Sequence, residues 1–276
     1  MTVAADLSTS SEGGHHFRSA SVLVPQEGIP QPPTELSVDE ERLLRKRELA
    51  ASFRLFGKFG FGEGVAGHMT VRDPELNDHF WVNPFVRSFN QIRVSDLILV
   101  DERGKVVEGR GTVNLAGFYI HSEVHKARPD VVAAAHTHSV HGRALASLGQ
   151  KILPLNQDST AFFEDHALYD YYGGPAGYQE EGQRIALALG DKKAAVLQHH
   201  GLITTGHSVG EAAWWFIAME RTAQVQLAAM AAGQALEMDH ETARFSYNEV
   251  GTHFAGWLSF RPLWDEIITE QPDLFD

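Results

Sequence analysis

The sequence contains no cysteine among its 276 residues. This absence excludes disulfides, thiolate metal sites and a cysteine nucleophile. Basic residues are also few, since 23 Lys and Arg stand against 36 Asp and Glu, which gives a formal net charge of −13. Phosphate backbones are bound chiefly through Lys and Arg, so we expect no nucleic-acid partner. Hydrophobic residues make up 43% and charged residues 21% of the chain, values typical of a folded globular protein.

Long apolar runs are also missing. The longest apolar stretch, 212–233, is interrupted by Glu220 and Arg221, so it does not predict a membrane span. The first residues combine neither a basic start nor an apolar centre, and they do not resemble a secretory signal. We therefore expect a soluble, cytoplasmic protein with no membrane partner.

The chain divides into a flexible N-terminal arm, 1–36, and one domain, 37–276, with an aromatic C-terminal extension. The arm is rich in Ser, Gly and Pro, a composition that does not support a packed core. Ser37 with Glu40 forms the pattern of a capping box, and apolar residues follow at helical spacing. The pattern predicts a helix over 38–57.

Short strands and helices alternate after this first helix. Alternating or β-branched residues predict strands at 68–72, 80–82, 97–100, 105–108, 131–138, 151–155, 194–198 and 202–205. Helical spacing predicts helices at 114–127, 142–148, 181–189 and 209–232. Residues 156–182 are expected to be irregular, and the aromatic end of the chain to dock on the core or on another subunit. One α/β domain with a mostly antiparallel sheet fits this order best.

Histidine is abundant, with 15 copies, and two groups of it follow apolar runs. His136 and His138 end the run 131–135, and alternate residues of a strand point to the same side. Two such imidazoles can hold one metal ion, or they can simply be half-exposed strand residues. His200 follows a second apolar run and precedes a glycine, so it is either a third ligand or an ordinary turn residue.

These residues together resemble the class II aldolase/adducin family. The resemblance covers about 40–235 and rests on the sequences GVAGHMTVR, SDL, RPDV, HTHS and HGL, at 64–72, 95–97, 128–131, 136–139 and 200–202. It implies a three-layer α/β/α fold with a central, mainly antiparallel sheet. It also implies a divalent metal ion held by His136, His138 and His200, and a homotetramer with active sites near subunit interfaces.

The sequence departs from the sugar-phosphate aldolases of this family at several positions. Counting back from Arg128, the position of their acid/base and metal-ligating Glu is Gly117, and their two phosphate-binding serines become Leu115 and Ala116. Their phosphate-binding Asn becomes His68, which we assign to substrate binding. We therefore expect a non-phosphorylated substrate.

His121 lies four residues after Gly117, on the same face of the predicted helix. We predict it as the catalytic residue, acting as the acid/base group or as a fourth metal ligand in the space that the Glu leaves. A helix histidine packed against its neighbours is the alternative. Histidine suits proton transfer because its ordinary pKa is about 6.5.

Three further residues are predicted to bind substrate. Asn83 lies in the loop where the aldolases hold phosphate or hydroxyl groups, and Asn114 opens a helix, where it can also be a simple cap. Asp158 follows a predicted strand and can orient a ligand imidazole.

The combined pattern predicts a metal-dependent carbon–carbon lyase, of the aldolase or decarboxylase type, for a small carbonyl or carboxylate substrate. Zinc is the expected metal, with iron(II) or manganese(II) as alternatives. A non-haem iron(II) oxygenase of a 2-oxo or hydroxy acid is the second interpretation. A non-catalytic, adducin-like assembly module is the third.

Overall fold

The computed structural model describes residues 28–174 and 179–276. Within these residues there are seven α-helices, Val38–Lys58 (α1), Leu115–Ala127 (α2), Val140–Ser147 (α3), Gln179–Leu189 (α4), Val209–Ala232 (α5), His240–Val250 (α6) and His253–Glu270 (α7). The strands are His68–Arg72 (β1), Phe80–Val82 (β2), Ile98–Val100 (β3), Val106–Glu108 (β4), Ala133–Thr137 (β5), His166–Tyr169 (β6), Ala194–Leu197 (β7) and Gly201–Gly206 (β8). The part of the predicted arm before residue 28 lies outside the described residues.

The strands form one sheet in the order β4-β3-β2-β1-β5-β8-β7-β6. All neighbouring pairs are antiparallel except β6 and β7, which are parallel. The central neighbours β1, β5 and β8 therefore come from three distant parts of the sequence. The prediction of a mainly antiparallel sheet is confirmed.

Helices cover both faces of the sheet. Alternate residues of β7 and β8 show the two layers: Val196 and Leu202 face the large core with α1, α3, α5 and α7, whereas Leu197 and Ile203 face a smaller core with α2 and α4. This alternation is the two-residue period of a strand. The prediction of three α/β/α layers is thus confirmed.

The helix boundaries follow local sequence signals. Ser37 accepts a hydrogen bond from the backbone of Glu40, and the Glu40 carboxylate accepts one from the Ser37 backbone, which completes the predicted capping box. At the other end of the chain, Trp257 and Phe260 of α7 are buried. The aromatic C-terminal extension therefore docks on the core of its own chain.

Two predictions of secondary structure were wrong. Residues 151–155 are not a strand, because their backbone groups pair with side chains, such as the Gln226 amide, rather than with another strand. Strand β6 lies in the segment predicted to be irregular. Among the described residues, no helix has the length and apolar character needed to span a bilayer.

Candidate active site

Three histidines meet where β5 ends and β8 begins. His136 is in β5, His138 follows it, and His200 immediately precedes β8. The two strands are antiparallel neighbours with Thr137 opposite Leu202, so the end of one strand lies beside the start of the other. Sheet topology therefore brings together side chains that are far apart in sequence.

The ring nitrogens that these three histidines offer all lie within 4.8 Å of one another. Their ring centroids are separated by 5.2 Å (His136 to His138), 4.7 Å (His136 to His200) and 5.0 Å (His138 to His200). Gly201 permits this approach, because a Cβ at its position would lie 3.1 Å from the Thr137 carbonyl oxygen.

The three rings are neutral, and a hydrogen bond fixes the tautomer of His136. Burial lowers the pKa of His136 and His138, and it lowers the pKa of His200 to about 4, with repulsion from His138 adding to the effect. The His136 Nδ1–H donates to the Leu202 carbonyl oxygen at 2.7 Å, which leaves Nε2 with a free lone pair. Neutral imidazole is the form that binds metal ions.

The three rings line a cleft of about 350 Å³. Its wall is largely apolar, with side chains from Val65, Ala116, Ile120 and Tyr172. Arg143, on α3, is the one Lys or Arg among the described lining residues, and it forms an ion pair with Glu63 at 3.3 Å. The cleft therefore offers an apolar surface with one permanent positive charge near the histidines.

His68 lies beside this cluster and lines the cleft. It sits opposite His136 in the β1–β5 register, with the two ring centroids 5.1 Å apart. A Cβ at Gly117 would lie 2.1 Å from the His68 Nε2. The imidazole of His68 therefore occupies the space that a side chain at position 117 would need.

His121 lies behind His68 and is fully buried. Its Nε2 is 2.9 Å from the His68 Nδ1, and its Nδ1 is 2.7 Å from the Thr70 hydroxyl. It is not among the described residues that line the cleft. The structure thus brings His121 to the site only through His68, and ligation of a metal ion by His121 would break one of these hydrogen bonds.

Of the other three predicted substrate-binding residues, one lines the cleft and two do not. Asn114 lines the cleft, and its side chain makes no capping hydrogen bond to α2. Asn83 is buried after β2, with its Nδ2 3.4 Å from the Pro84 carbonyl oxygen, and does not reach the cleft. Asp158 is exposed at the start of a short 3₁₀ helix that packs on α6, and it also lies away from the cleft.

Sequence reasoning missed Glu220, which fixes the loop after His138. Its buried carboxylate accepts hydrogen bonds from the Ser139 hydroxyl at 2.5 Å and from the backbone N–H groups of His141 and Gly142 at 2.9 and 2.6 Å. These donors form the N-terminus of α3, where a negative charge is stabilising. A remote carboxylate thus caps the helix that begins beside His138.

A second group of possible ligands, His207, Glu211 and His253, lies near the start of α5. The two imidazoles are stacked with centroids 3.7 Å apart, and the His253 Nδ1 lies 2.7 Å from the Glu211 carboxylate. Trp215 and the His207 backbone also donate to this carboxylate. The Glu211 carboxylate thus already has three hydrogen-bond partners, and the group is a hydrogen-bonded stack.

Comparison with known proteins gives a family and several close relatives. Residues 47–227 match the family described as Class II Aldolase and Adducin N-terminal domain. The chain is 42% identical over 246 residues to "Decarboxylase NovR" of Streptomyces niveus, which covers 88% of this chain and 91% of that protein. It is also 42% identical to "4-hydroxy-3-prenylphenylpyruvate oxygenase/4-hydroxy-3-prenylbenzoate synthase" of Streptomyces roseochromogenus subsp. oscitans, over 88% of each chain.

A solved structure supports the same relationship. "L-fuculose 1-phosphate aldolase from Glaciozyma antarctica PI12" superposes with a TM-score of 0.82 and 45% identity, covering 89% of this chain and 96% of that chain. The family match at 47–227 includes all three histidines of the cluster.

Proposed function

The chain belongs to the class II aldolase and adducin family, and we propose that it is a metal-dependent carbon–carbon lyase, of the aldolase or decarboxylase type. We propose a non-phosphorylated carbonyl or carboxylate compound as the substrate. The observation that carries this proposal is the convergence of three neutral imidazoles on one cleft. The names of the relatives add a decarboxylase and an aldolase.

We propose His136, His138 and His200 as the ligands of one divalent ion. Three imidazoles with open positions beside them are typical of catalytic metal sites, and we propose zinc as the ion, with iron(II) or manganese(II) as alternatives, because imidazole is a preferred ligand of zinc. The fixed Nδ1–H of His136 fits ligation through Nε2. When bound, such an ion supplies Lewis-acid polarisation of a substrate oxygen.

The remaining lining residues fit a substrate with one anionic and one apolar part. Arg143 provides a guanidinium that can bind a carboxylate in bidentate geometry. The apolar wall, including Ile120 and Tyr172, can pack against a hydrocarbon or aromatic part. We propose His68 as the cleft residue that exchanges a proton with the substrate, with His121 acting through it.

The non-phosphorylated character of the substrate is proposed from Leu115 and Ala116, which offer no hydroxyl donors at the start of α2. The related protein from Glaciozyma antarctica is named as an aldolase of L-fuculose 1-phosphate, so this sugar phosphate belongs in the substrate panel. Efficient cleavage of this phosphate would contradict this part of the proposal.

The test is metal analysis of the purified protein, combined with a panel of 2-oxo acids and hydroxy-ketones. We expect one transition-metal ion per chain and lyase turnover without oxygen. His138→Ala should lose both the ion and turnover. His199→Asn is the matched control, because His199 lines the same cleft outside the ligand set and asparagine tolerates its φ of +61°. Full activity of His138→Ala would refute the site.

A non-haem iron(II) oxygenase is the second candidate. It is favoured by one relative at 42% identity, whose name describes an oxygenase, and by the glycine at position 117, which supplies no acid/base carboxylate for lyase chemistry. Oxygen consumption with a 2-oxo acid, restricted to the iron-loaded protein, would support this candidate over the lyase.

We also propose a homotetramer. Large apolar side chains are exposed on the described surface, among them Val65, which lines the cleft, and Leu115 and Val140. A second copy of the chain would remove these groups from water, which is favourable. Light scattering coupled to size-exclusion chromatography tests this, and a monomer at micromolar concentration would exclude the proposed assembly.

A further inference from the structure

A string of buried hydrogen bonds leads away from the cleft behind His68. The His68 Nδ1 is 2.9 Å from the His121 Nε2, the His121 Nδ1 is 2.7 Å from the Thr70 Oγ1, and this oxygen is 2.9 Å from the His125 Nε2. All four residues are at most 5% exposed. His68 and Thr70 share one face of β1, whereas His121 and His125 are one turn apart on α2.

The far end of the string fixes the direction of its hydrogen bonds. The His125 Nδ1 is 3.3 Å from the Val131 carbonyl oxygen, which can only accept. It is also 3.4 Å from the Arg72 Nη2, but that nitrogen lies closer to three carbonyl oxygens, at 2.7 Å to His125, 3.2 Å to Arg128 and 3.3 Å to Val131, so its two hydrogens are directed to carbonyls. The His125 Nδ1 therefore carries a hydrogen and donates it to Val131.

Each neutral imidazole has one donor and one acceptor nitrogen, so the donor role of the His125 Nδ1 fixes the direction of every other hydrogen bond in the string. The rings are neutral because all three are buried and none has a carboxylate among its hydrogen-bond partners in the string. The His125 Nε2 accepts the Thr70 hydroxyl hydrogen, and the Thr70 oxygen accepts the His121 Nδ1–H. The His121 Nε2 then accepts the His68 Nδ1–H.

We propose that this string holds His68 in the Nδ1–H tautomer, so that an unprotonated Nε2 is presented at the cleft, and that Thr70 is the positioning residue that sets this tautomer. The Nε2 lies on the side of Gly117, and both residues line the cleft. The cleft occupant must then provide a hydrogen-bond donor here, such as a substrate hydroxyl. This consequence rests on the proposed function, because it takes the cleft as the substrate site.

The tautomer can be read directly by NMR. Full-length protein is labelled with ¹⁵N-histidine, and two-bond ¹H–¹⁵N correlations show which ring nitrogen carries the hydrogen. His68 is identified by loss of its signals in His68→Asn, with zinc-loaded and chelator-treated protein measured in parallel. We expect the Nδ1–H pattern for His68 in the wild type. An Nε2–H pattern there overturns the proposal.

Thr70→Val and Thr70→Ser form the matched pair. Valine keeps the shape but removes the hydroxyl, so we expect His68 to show a mixture of tautomers or the Nε2–H form, whereas serine should retain the Nδ1–H pattern. An unchanged His68 pattern in Thr70→Val would show that Thr70 does not set the tautomer. A chain that binds no metal would refute the proposed function, yet the chelator-treated spectra would still decide the tautomer.

Discussion

The His68 ring fills the space that a side chain at position 117 would occupy, so a substitution of Gly117 should destabilise the protein. Gly117 lies in the first turn of α2, where alanine is ordinarily the better helix former. A methyl group at this position would lie 2.1 Å from the Nε2 and the Cδ2 of His68. Gly117→Ala must therefore displace the His68 ring, which also breaks its hydrogen bond to His121.

Gly117→Ala should change the free energy of unfolding in opposite directions in the wild type and in a His68→Ala background. In the wild type, overpacking costs about 1–3 kcal/mol and the lost buried hydrogen bond about 1–3 kcal/mol, against a helix-propensity gain of up to about 1 kcal/mol. The net destabilisation from Gly117→Ala is about 3 kcal/mol on these figures. In a His68→Ala background the ring is absent, so the same substitution should stabilise the protein by up to about 1 kcal/mol.

Urea unfolding of the four proteins, namely wild type, both single variants and the double variant, measures this cycle. The effect of Gly117→Ala in the wild type is compared with its effect in His68→Ala. The free energy lost on removing the His68 ring itself is common to both proteins of the second pair, so it cancels. A coupling free energy near zero would refute the idea that the two positions share one space. A Gly117→Ala variant that is more stable than the wild type would refute it as well.

Three more predictions address other parts of the molecule. The buried His166 ring donates from Nδ1 to the Phe162 carbonyl and accepts the Ile152 N–H at Nε2, and burial lowers its pKa to about 4. Because this histidine has its ordinary pKa of about 6.5 in the unfolded chain, the unfolded chain is protonated first as the pH falls. The free energy of unfolding should therefore decrease as the pH drops from about 6.5 towards 4. The slope is at most about 1.4 kcal/mol per pH unit for this group, and urea unfolding of His166→Gln should show a flatter profile. Arg143→Met should raise KM for a carboxylate substrate at least about tenfold at unchanged metal content, whereas an unchanged KM would remove Arg143 from substrate binding. Glu220→Gln should lower the free energy of unfolding by about 1–3 kcal/mol, because the buried carboxylate that caps α3 is lost. The same substitution should weaken zinc binding, measured by competition with a chelator. Zinc affinity equal to that of the wild type would show that the Glu220 cap does not position His138.

Local sequence signals predicted the elements whose boundaries are set by their own residues. The capping box at Ser37 gave the start of α1, and alternation gave β1 and β2 with the observed bounds. The C-terminal helices α6 and α7 were not predicted, although Asp239 and Thr252 cap them as ordinary N-cap residues. Their dense aromatic residues obscured the helical spacing.

The site was predicted in part, for a physical reason. The pairing of His136 with His138 follows from strand alternation, which is a local property. The position of His68 could not be predicted in this way, because it depends on β1 lying beside β5 and on the empty space over Gly117. The contribution of Glu220 depends on where α5 crosses the start of α3, which no local pattern encodes.

The exchange of a carboxylate position for an imidazole changes the charge of the proposed metal centre. In the sugar-phosphate aldolases that the chain resembles, a Glu at the position of Gly117 would offset one charge of a divalent ion. Here that space holds the neutral ring of His68, so a bound divalent ion would keep that charge, whereas the charge of Arg143 at the same cleft is balanced by its ion pair with Glu63. A centre with this excess of positive charge favours an anionic substrate and stabilises negative charge that develops on it during bond cleavage. The substitution at position 117 therefore connects the proposed carboxylate substrate with the proposed lyase chemistry.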